Sequence, residues 1–229
     1  MKAAELIAEG DVAALPAPQV RVTEIFRSLQ GESNSVGWPT VFVRLTGCPL
    51  RCVYCDTAYA FSGGQRFGID AIVEQVVGHR TRHVCVTGGE PLAQPACLLL
   101  LSELCDQGHA VSLETSGALD ISGVDPRVRI VMDLKTPSSG EVMRNLMQNL
   151  DHLKPSDEIK IVIGSAQDFQ WAEQMVREYV LDERFDVLVS PVFGAVEPLQ
   201  LAEWVLGSAH RMRCQLQLHK MIWGNEPGH

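Results

Sequence analysis

Hydrophobic positions along this chain keep two rhythms. Short runs rich in Val, Ile, Leu and Thr recur at 20–26 (VRVTEIF), 40–46 (TVFVRLT), 83–88 (HVCVTG), 110–115 (AVSLET), 129–134 (RIVMDL), 158–163 (EIKIVI), 186–192 (DVLVSPV) and 214–219 (CQLQLH), and each reads as a strand. Between most of them lie stretches compatible with helices, at 70–77, 95–107, 140–150, 168–180 and 198–208. Such alternation predicts parallel strands joined by right-handed crossovers. About six units are too few for a closed eight-stranded barrel, so the expected α/β fold is an open, partial (βα) barrel of about six parallel strands. The Ala-rich start could begin a helix that Pro16 and Pro18 end, which makes 1–19 an N-terminal appendage. Residues 20–229, without internal repeat or low-complexity block, read as a single domain.

Polar, glycine-bearing clusters follow successive strands: TGC at 46–48, TGGEP at 87–91, ETSG at 114–117 and DLKTPSSG at 133–140. Parallel barrels concentrate their chemistry where strands end and loops begin, so these clusters outline one site.

Composition narrows what that site handles. The chain has 229 residues, 46% hydrophobic and 21% charged, enough for a substantial core. Its net charge of −9 argues against binding a phosphate backbone and for a small-molecule substrate, with no direct nucleic-acid partner. No segment has the pattern of a secretory signal or the roughly 20 apolar residues that span a bilayer, which points to a cytoplasmic protein without a membrane partner. An odd set of seven cysteines suits metal or redox chemistry better than a disulfide framework.

Three of those cysteines, Cys48, Cys52 and Cys55, fall within GCPLRCVYC at 47–55. Structural zinc normally takes four protein ligands, often as two C-x-x-C halves, and no second half follows. Cys85, Cys97, Cys105 and Cys214 stand alone in predicted strands or helices, where an inert buried thiol is the expected role. An iron–sulfur cluster held by three thiolates keeps one iron open to a non-protein ligand. Trp38, Trp171, Trp204 and Trp223 read as core residues.

The C-x3-C-x2-C spacing after a strand, with Tyr54 between the last two cysteines, resembles the radical S-adenosylmethionine (SAM) superfamily, and TGGEP is similar to its Gly-Gly-Glu-Pro motif. The resemblance implies that Cys48, Cys52 and Cys55 hold a [4Fe–4S] cluster whose fourth iron is chelated by SAM. It implies reductive cleavage of SAM to methionine and a 5′-deoxyadenosyl radical, with a reductase such as flavodoxin as electron donor. TEIFRSLQGES, FVRLTGCPLRCVYCDTAYAF, TGGEP, ETSG and QLHKMIWG, spread from about residue 20 to the chain's end, resemble the 7-carboxy-7-deazaguanine synthases of queuosine and deazapurine biosynthesis. That family resemblance implies a Mg2+-dependent homodimer. It also implies ring contraction of 6-carboxy-5,6,7,8-tetrahydropterin to 7-carboxy-7-deazaguanine with loss of ammonia.

Carried onto this chain, the family's substrate loop falls on Leu29, Gln30 and Gly31, with Glu32 beside it; amides, carboxylates and bare backbone suit a pterin edge that presents donors and acceptors. Arg44, in an otherwise apolar strand, needs an anionic partner, and the substrate carboxylate is a natural one. Thr87 and His219 are substrate contacts by resemblance. By the same resemblance Tyr54, Cys55 and Asp56 lie along the SAM adenine, and Gly89 receives the methionine amino group on bare backbone. Glu114, Ser116, Asp133, Leu134 and Lys135 then flank the ribose and methionyl groups. Where many relatives carry Ser-Pro-Lys, this chain has Asp133, Leu134 and Lys135, so only Lys135 keeps that pattern. Thr57 matches the hydroxyl that the family places on Mg2+. Two other readings stay open: a glycyl-radical-enzyme activase, which would lack the SLQGE loop, and a zinc-stabilised binding module.

Overall fold

The computed structural model describes residues 17–224, so most of the expected appendage lies outside the described residues. The chain enters on β1 (Gln19–Leu29), turns back along β2 (Pro39–Leu45) and, after the cysteine loop, adds a short β3 (Gln65–Gly68). Strands and helices then alternate: α1 (Ile69–Gly78), β4 (His83–Gly88), α2 (Cys97–Asp106), β5 (Ala110–Thr115), β6 (Arg129–Leu134), β7 (Glu158–Ile163) and α3 (Ala166–Tyr179). The last part holds α4 (Leu181–Arg184), β8 (Asp186–Pro191), α5 (Pro198–Gly207), β9 (Met212–Cys214) and α6 (Leu218–Trp223). The nine strands of the described residues form one sheet in the order β3-β1-β2-β4-β5-β6-β7-β8-β9. From β2 to β9 every pairing is parallel, while β1 is antiparallel to β2 and β3 to β1. The open, largely parallel α/β sheet expected from the sequence is therefore present, with the antiparallel β1 and β3 added at one edge.

Period-two alternation decides which strand residues meet the helices. Val41, Val43 and Leu45 of β2, Val84 and Val86 of β4, and Val111 and Leu113 of β5 pack with Ile72 and Val76 of α1 and Leu100, Leu101 and Leu104 of α2. Ile130, Met132 and Leu134 of β6, Ile159, Ile161 and Ile163 of β7, and Val187 and Val189 of β8 pack with Phe169, Ala172 and Val176 of α3 and Leu201 of α5. Parallel strands are usually apolar on both faces. Here the intervening positions carry Arg44, Thr87, Glu114, Asp133 and Lys160, and the register sets Arg44 beside Thr87 and Asp133 beside Lys160. These polar residues form a belt on the face away from the helices. Each fully buried aliphatic on the helix side contributes roughly 1.5–3 kcal/mol, which lets the opposite face carry charge.

Segment 140–150 is not the helix its sequence suggested. It forms two short 3-10 turns, Val142–Arg144 and Met147–Asp151, after Gly140 at φ 77°. Asn145 binds both backbone atoms of Lys135, accepting from its N–H at 2.8 Å and donating to its carbonyl at 2.9 Å. Asn149 likewise joins Gly117, Leu119 and Ile121; such side-chain bonding competes with a helix ladder. The strand expected at 214–219 shrinks to β9, and α6 follows because the Leu218 N–H donates to the Gly31 carbonyl at 3.0 Å, turning the chain onto the β1–β2 loop. Trp38, expected in the core, is 58% exposed just before β2, stacked on His83 at 5.5 Å. Among the described residues no helix is long and apolar enough to cross a membrane.

Candidate active site

β2 ends at Leu45, and Gly47, at φ 100°, turns the chain into the cysteine loop. Backbone bonds fasten that loop on several sides: Gly47 N–H to the Ala60 carbonyl at 2.8 Å, Glu90 N–H to the Gly47 carbonyl at 2.8 Å, and Val53 N–H to the Ser139 carbonyl at 3.0 Å. Cys48, Cys52 and Cys55 are half-buried and border one cavity of about 570 Å3. Burial pushes the thiols of Cys48 and Cys52 up, so bound metal is what would hold them as thiolates. Among the described residues no three His, Cys, Asp or Glu stand close enough to hold one metal ion. Cys48, Cys52 and Cys55 are the cysteines that border the cavity, one short of the four protein ligands with which structural zinc closes its tetrahedron. The donor set thus fits a cluster with one open iron. Cys97 is buried in the core between α2 and the sheet, where burial raises its thiol to about 12, and Cys85 is fully buried on the belt face of β4 near Glu114, where burial likewise pushes its thiol up, as expected for inert thiols.

TGGEP packs directly against the cysteine loop. A Cβ on Gly89 would lie 2.2 Å from the Gly47 carbonyl oxygen and 2.9 Å from Cys48 Cβ; one on Gly88 would lie 2.4 Å from the Leu45 carbonyl oxygen. Glycine is therefore demanded by backbone packing, and Gly89 also faces the cavity. Fully buried Glu90 accepts from Leu92 N–H (3.0 Å), Thr115 Oγ1 (2.9 Å), Ser116 N–H (2.7 Å) and Ser116 Oγ (2.5 Å). This one carboxylate ties the loop after β4 to the loop after β5, and it occupies the Ser116 hydroxyl proton.

The polar belt is a chain of buried bonds. Glu114, which resemblance puts beside SAM, accepts from Thr87 Oγ1 at 3.0 Å and Gln30 Nε2 at 3.3 Å, two of the expected substrate residues. Gln30 closes its own turn by accepting from the Gly31 N–H at 2.9 Å. Arg44 finds its anionic partner within the fold: its Nε donates to Glu24 Oε1 at 2.6 Å, and the guanidinium lies over the rings of Phe26 and Tyr59. On the other side, Lys135 Nζ is 3.0 Å from Asp133 Oδ2, and Lys160 Nζ is 2.8 Å from Glu32 Oε2 and 3.8 Å from Asp133 Oδ2. Burial pushes the Asp133 carboxyl up, but the two lysines outweigh it and hold the group below the ordinary carboxylate range. Among the described residues Glu32 Oε1 and Asp133 Oδ1 are buried without a hydrogen-bond partner, and both residues border the cavity. Buried polar atoms are normally paired, so these two oxygens await donors from bound ligands.

The remaining expected residues converge from distant elements. His219 packs against Gly31, where an added Cβ would lie 2.1 Å from its Nδ1, and burial lowers its pKa so that it is neutral near pH 7. Tyr54 Oη lies 3.4 Å from Thr136 Oγ1, and the exposed Asp56 is 3.3 Å from Lys220 Nζ. Thr57 opens the turn Ala58–Phe61 without capping it, which leaves its hydroxyl 3.7 Å from Cys55 Sγ at the cavity wall. Leu29 also borders the cavity. Leu134 does not: alternation along β6 sends Asp133 and Lys135 to the cavity and Leu134 into the core. Sequence reading missed Lys160, although a lysine between isoleucines in EIKIVI is as conspicuous as Arg44 in TVFVRLT.

Comparison with known proteins agrees with this geometry. The sequence profile described as Radical SAM superfamily matches residues 42–179. A 7-carboxy-7-deazaguanine synthase from Chlorobaculum tepidum is 45% identical over 207 residues, covering 89% of this chain and 94% of its own. One from Koribacter versatilis is 39% identical over 222 residues, with 90% and 98% covered. In fold, the chain is similar to the crystal structure of QueE from Escherichia coli at a TM-score of 0.72 and 24% identity, covering 88% of this chain and 95% of that one. With near full-length identity at this level, and the cysteine loop inside the matched profile, the chain belongs to the 7-carboxy-7-deazaguanine synthase family of the radical SAM superfamily.

Proposed function

We propose that this cavity carries out the family's reaction, 7-carboxy-7-deazaguanine synthesis in the queuosine pathway, by contracting the ring of 6-carboxy-5,6,7,8-tetrahydropterin with loss of ammonia. What carries the reading is that three cysteines without a fourth protein ligand and a belt of paired charges border the same cavity. When bound there, a [4Fe–4S] cluster and SAM supply one electron and a 5′-deoxyadenosyl radical. The chain's own residues then have to hold the pterin still beside it, since near-attack geometry is worth several kcal/mol.

Gln30, Glu32, Thr87 and Glu114 read the pterin edge, with neutral His219 able to donate from one ring nitrogen and accept on the other. Arg44 holds the substrate carboxylate through its η nitrogens, for which no hydrogen bond occurs among the described residues, while Glu24 fixes Nε. Tyr54, Asp56, the Gly89 backbone, Asp133 and Lys135 form the SAM side. Thr57 is the Mg2+ ligand; its uncapped hydroxyl supports this, because Mg2+ accepts one protein oxygen when water and substrate provide the rest. We further propose a cytoplasmic homodimer reduced by a flavodoxin-like protein. Anaerobic reconstitution with iron and sulfide, followed by mass analysis of the product formed with SAM, reductant and the carboxytetrahydropterin, tests the whole assignment. 7-Carboxy-7-deazaguanine is the expected product; SAM cleavage that leaves the pterin intact would remove it.

A further inference from the structure

Lys160 stands where the two halves of the site meet. It rises from β7 between Ile159 and Ile161, both in the core, and its ammonium reaches Glu32 Oε2 at 2.8 Å with Asp133 Oδ2 at 3.8 Å. Lys135 approaches that same Asp133 oxygen at 3.0 Å. The opposite oxygens, Glu32 Oε1 and Asp133 Oδ1, are buried and have no hydrogen-bond partner among the described residues. Each carboxylate is thus held by lysine on one side and open to a ligand donor on the other. Donors of the right kind exist on both ligands: ring N–H and amino groups on the pterin, ribose hydroxyl groups on SAM.

We propose that Lys160 is a positioning residue that couples the two subsites, so that pterin bound at Glu32 tightens SAM at Asp133 and the reverse. This rests on the assignment of Glu32 to the pterin side and Asp133 to the SAM side. A ligand that seats one carboxylate fixes the shared ammonium, and the fixed ammonium orients the other carboxylate before its ligand arrives. The second ligand then loses less freedom on binding, which is positive cooperativity without any large movement. A lysine that merely neutralised buried charge would strengthen each ligand separately and leave their ratio unchanged. The coupling is reciprocal by thermodynamic necessity.

The test measures SAM dissociation constants with and without the carboxytetrahydropterin, in reconstituted holoenzyme kept oxidised so that SAM is not cleaved. In wild type the pterin should tighten SAM about tenfold, with the same factor in the reverse titration. Lys160→Met should bring that factor to about one, and Lys160→Arg should restore most of it. An unchanged factor in Lys160→Met, or no coupling in wild type, overturns the proposal. Should Lys160→Met fail to fold, judged by circular dichroism and cluster absorption, Lys160→Arg and Glu32→Gln give the same comparison: retained coupling in Arg and loss in Gln support it, and equal coupling in both sinks it. Glu32→Gln and Asp133→Asn also separate the two layers. If they fail to weaken pterin and SAM respectively, the subsite assignment is wrong; if they do weaken them while Lys160 variants keep the coupling, only the bridge is wrong.

Discussion

Charged side chains gather at both ends of the parallel strands, under opposite conditions. At the C-terminal ends, Arg44, Asp133, Lys135 and Lys160 are largely shielded from water and tied to other side chains at 2.6–3.8 Å. At the N-terminal ends, Arg27, Arg80 and Arg82 border a second cavity of about 550 Å3 with Trp38 and His83. All three arginines are exposed, and among the described residues none has an ion pair or a side-chain hydrogen bond. A guanidinium in water needs no protein partner, because solvent screens it; a buried ammonium does. Charge density therefore does not distinguish the two ends. Desolvated, paired charge does: the two buried carboxylates that each keep one oxygen unpartnered among the described residues, Glu32 and Asp133, lie at the end that also holds the cysteines.

The sharpest break in this comparison comes from the cysteine loop. Cys52→Ala should abolish cluster assembly and reduce 5′-deoxyadenosine formation to background, since beyond Cys48 and Cys55 no further cysteine borders the cavity to replace it. Cys85→Ala, fully buried on the belt face of β4 but outside the cavity lining, should keep both and lose on the order of 1 kcal/mol of stability from the small void. Cluster absorption and chromatography of the cleaved nucleoside check the pair. Normal cleavage by Cys52→Ala would dissolve the distinction between cavity and core thiols.

Next in size is Arg44→Ala. It removes the proposed clamp on the substrate carboxylate and leaves Glu24 without its guanidinium, so kcat/KM for the carboxytetrahydropterin should fall on the order of 100-fold. Arg44→Lys should recover only part of this, because an ammonium cannot keep Nε on Glu24 while offering two further donors. SAM cleavage without substrate should persist in both variants. Equal turnover by wild type and Arg44→Ala would place the carboxylate elsewhere in the belt.

Much of this was legible in the chain itself, and the gaps have physical causes. The parallel core strands show as β-branched runs because one face of each is packed against helices, and the cysteine loop and TGGEP show because together they resemble the motifs of a known superfamily. The partners of Glu114 were not legible because a sequence gives its strand but not its neighbour; only the structure brings Thr87 and Gln30 within 3.3 Å of it. Leu134 was carried over with its motif although period-two alternation already excluded its side chain. The helix expected at 140–150 failed because Asn145 and Asn149 satisfy other segments' backbone groups, a long-range use of side chains that local periodicity cannot display. Likewise the β9–α6 turn depends on a bond to Gly31, nearly the whole chain away.

A smaller effect is expected at Thr57. Thr57→Ala should lose about tenfold of the Mg2+ stimulation of product formation while the cluster and SAM binding remain. Its backbone carbonyl, which accepts from Ala60 N–H at 2.9 Å, is unaffected by the change, so the turn should survive. A magnesium titration of turnover in the two proteins decides it, and identical responses would return Thr57 to a purely local role.

The smallest effect belongs to the N-terminal rim. Arg82→Ala removes a solvated charge with no partner among the described residues, so stability should stay within about 0.5 kcal/mol and kcat/KM within about twofold of wild type. One property should nevertheless move. Burial lowers the pKa of His83, and the positive charges of Arg82 and Arg129 lower it further. Deleting Arg82 removes one of those charges, so His83 should titrate at higher pH in the variant, which the ring proton shifts in an NMR titration would report. The folded-state pKa is depressed for a base, so protonation is disfavoured by folding; relieving it makes the variant lose less stability than wild type as pH falls through the histidine range. A tenfold loss of activity in Arg82→Ala would erase the contrast between the two ends, since a solvated arginine at the far rim would then be acting on the chemistry. A shifted His83 with unchanged turnover would confirm that charge at this rim is felt locally and no further.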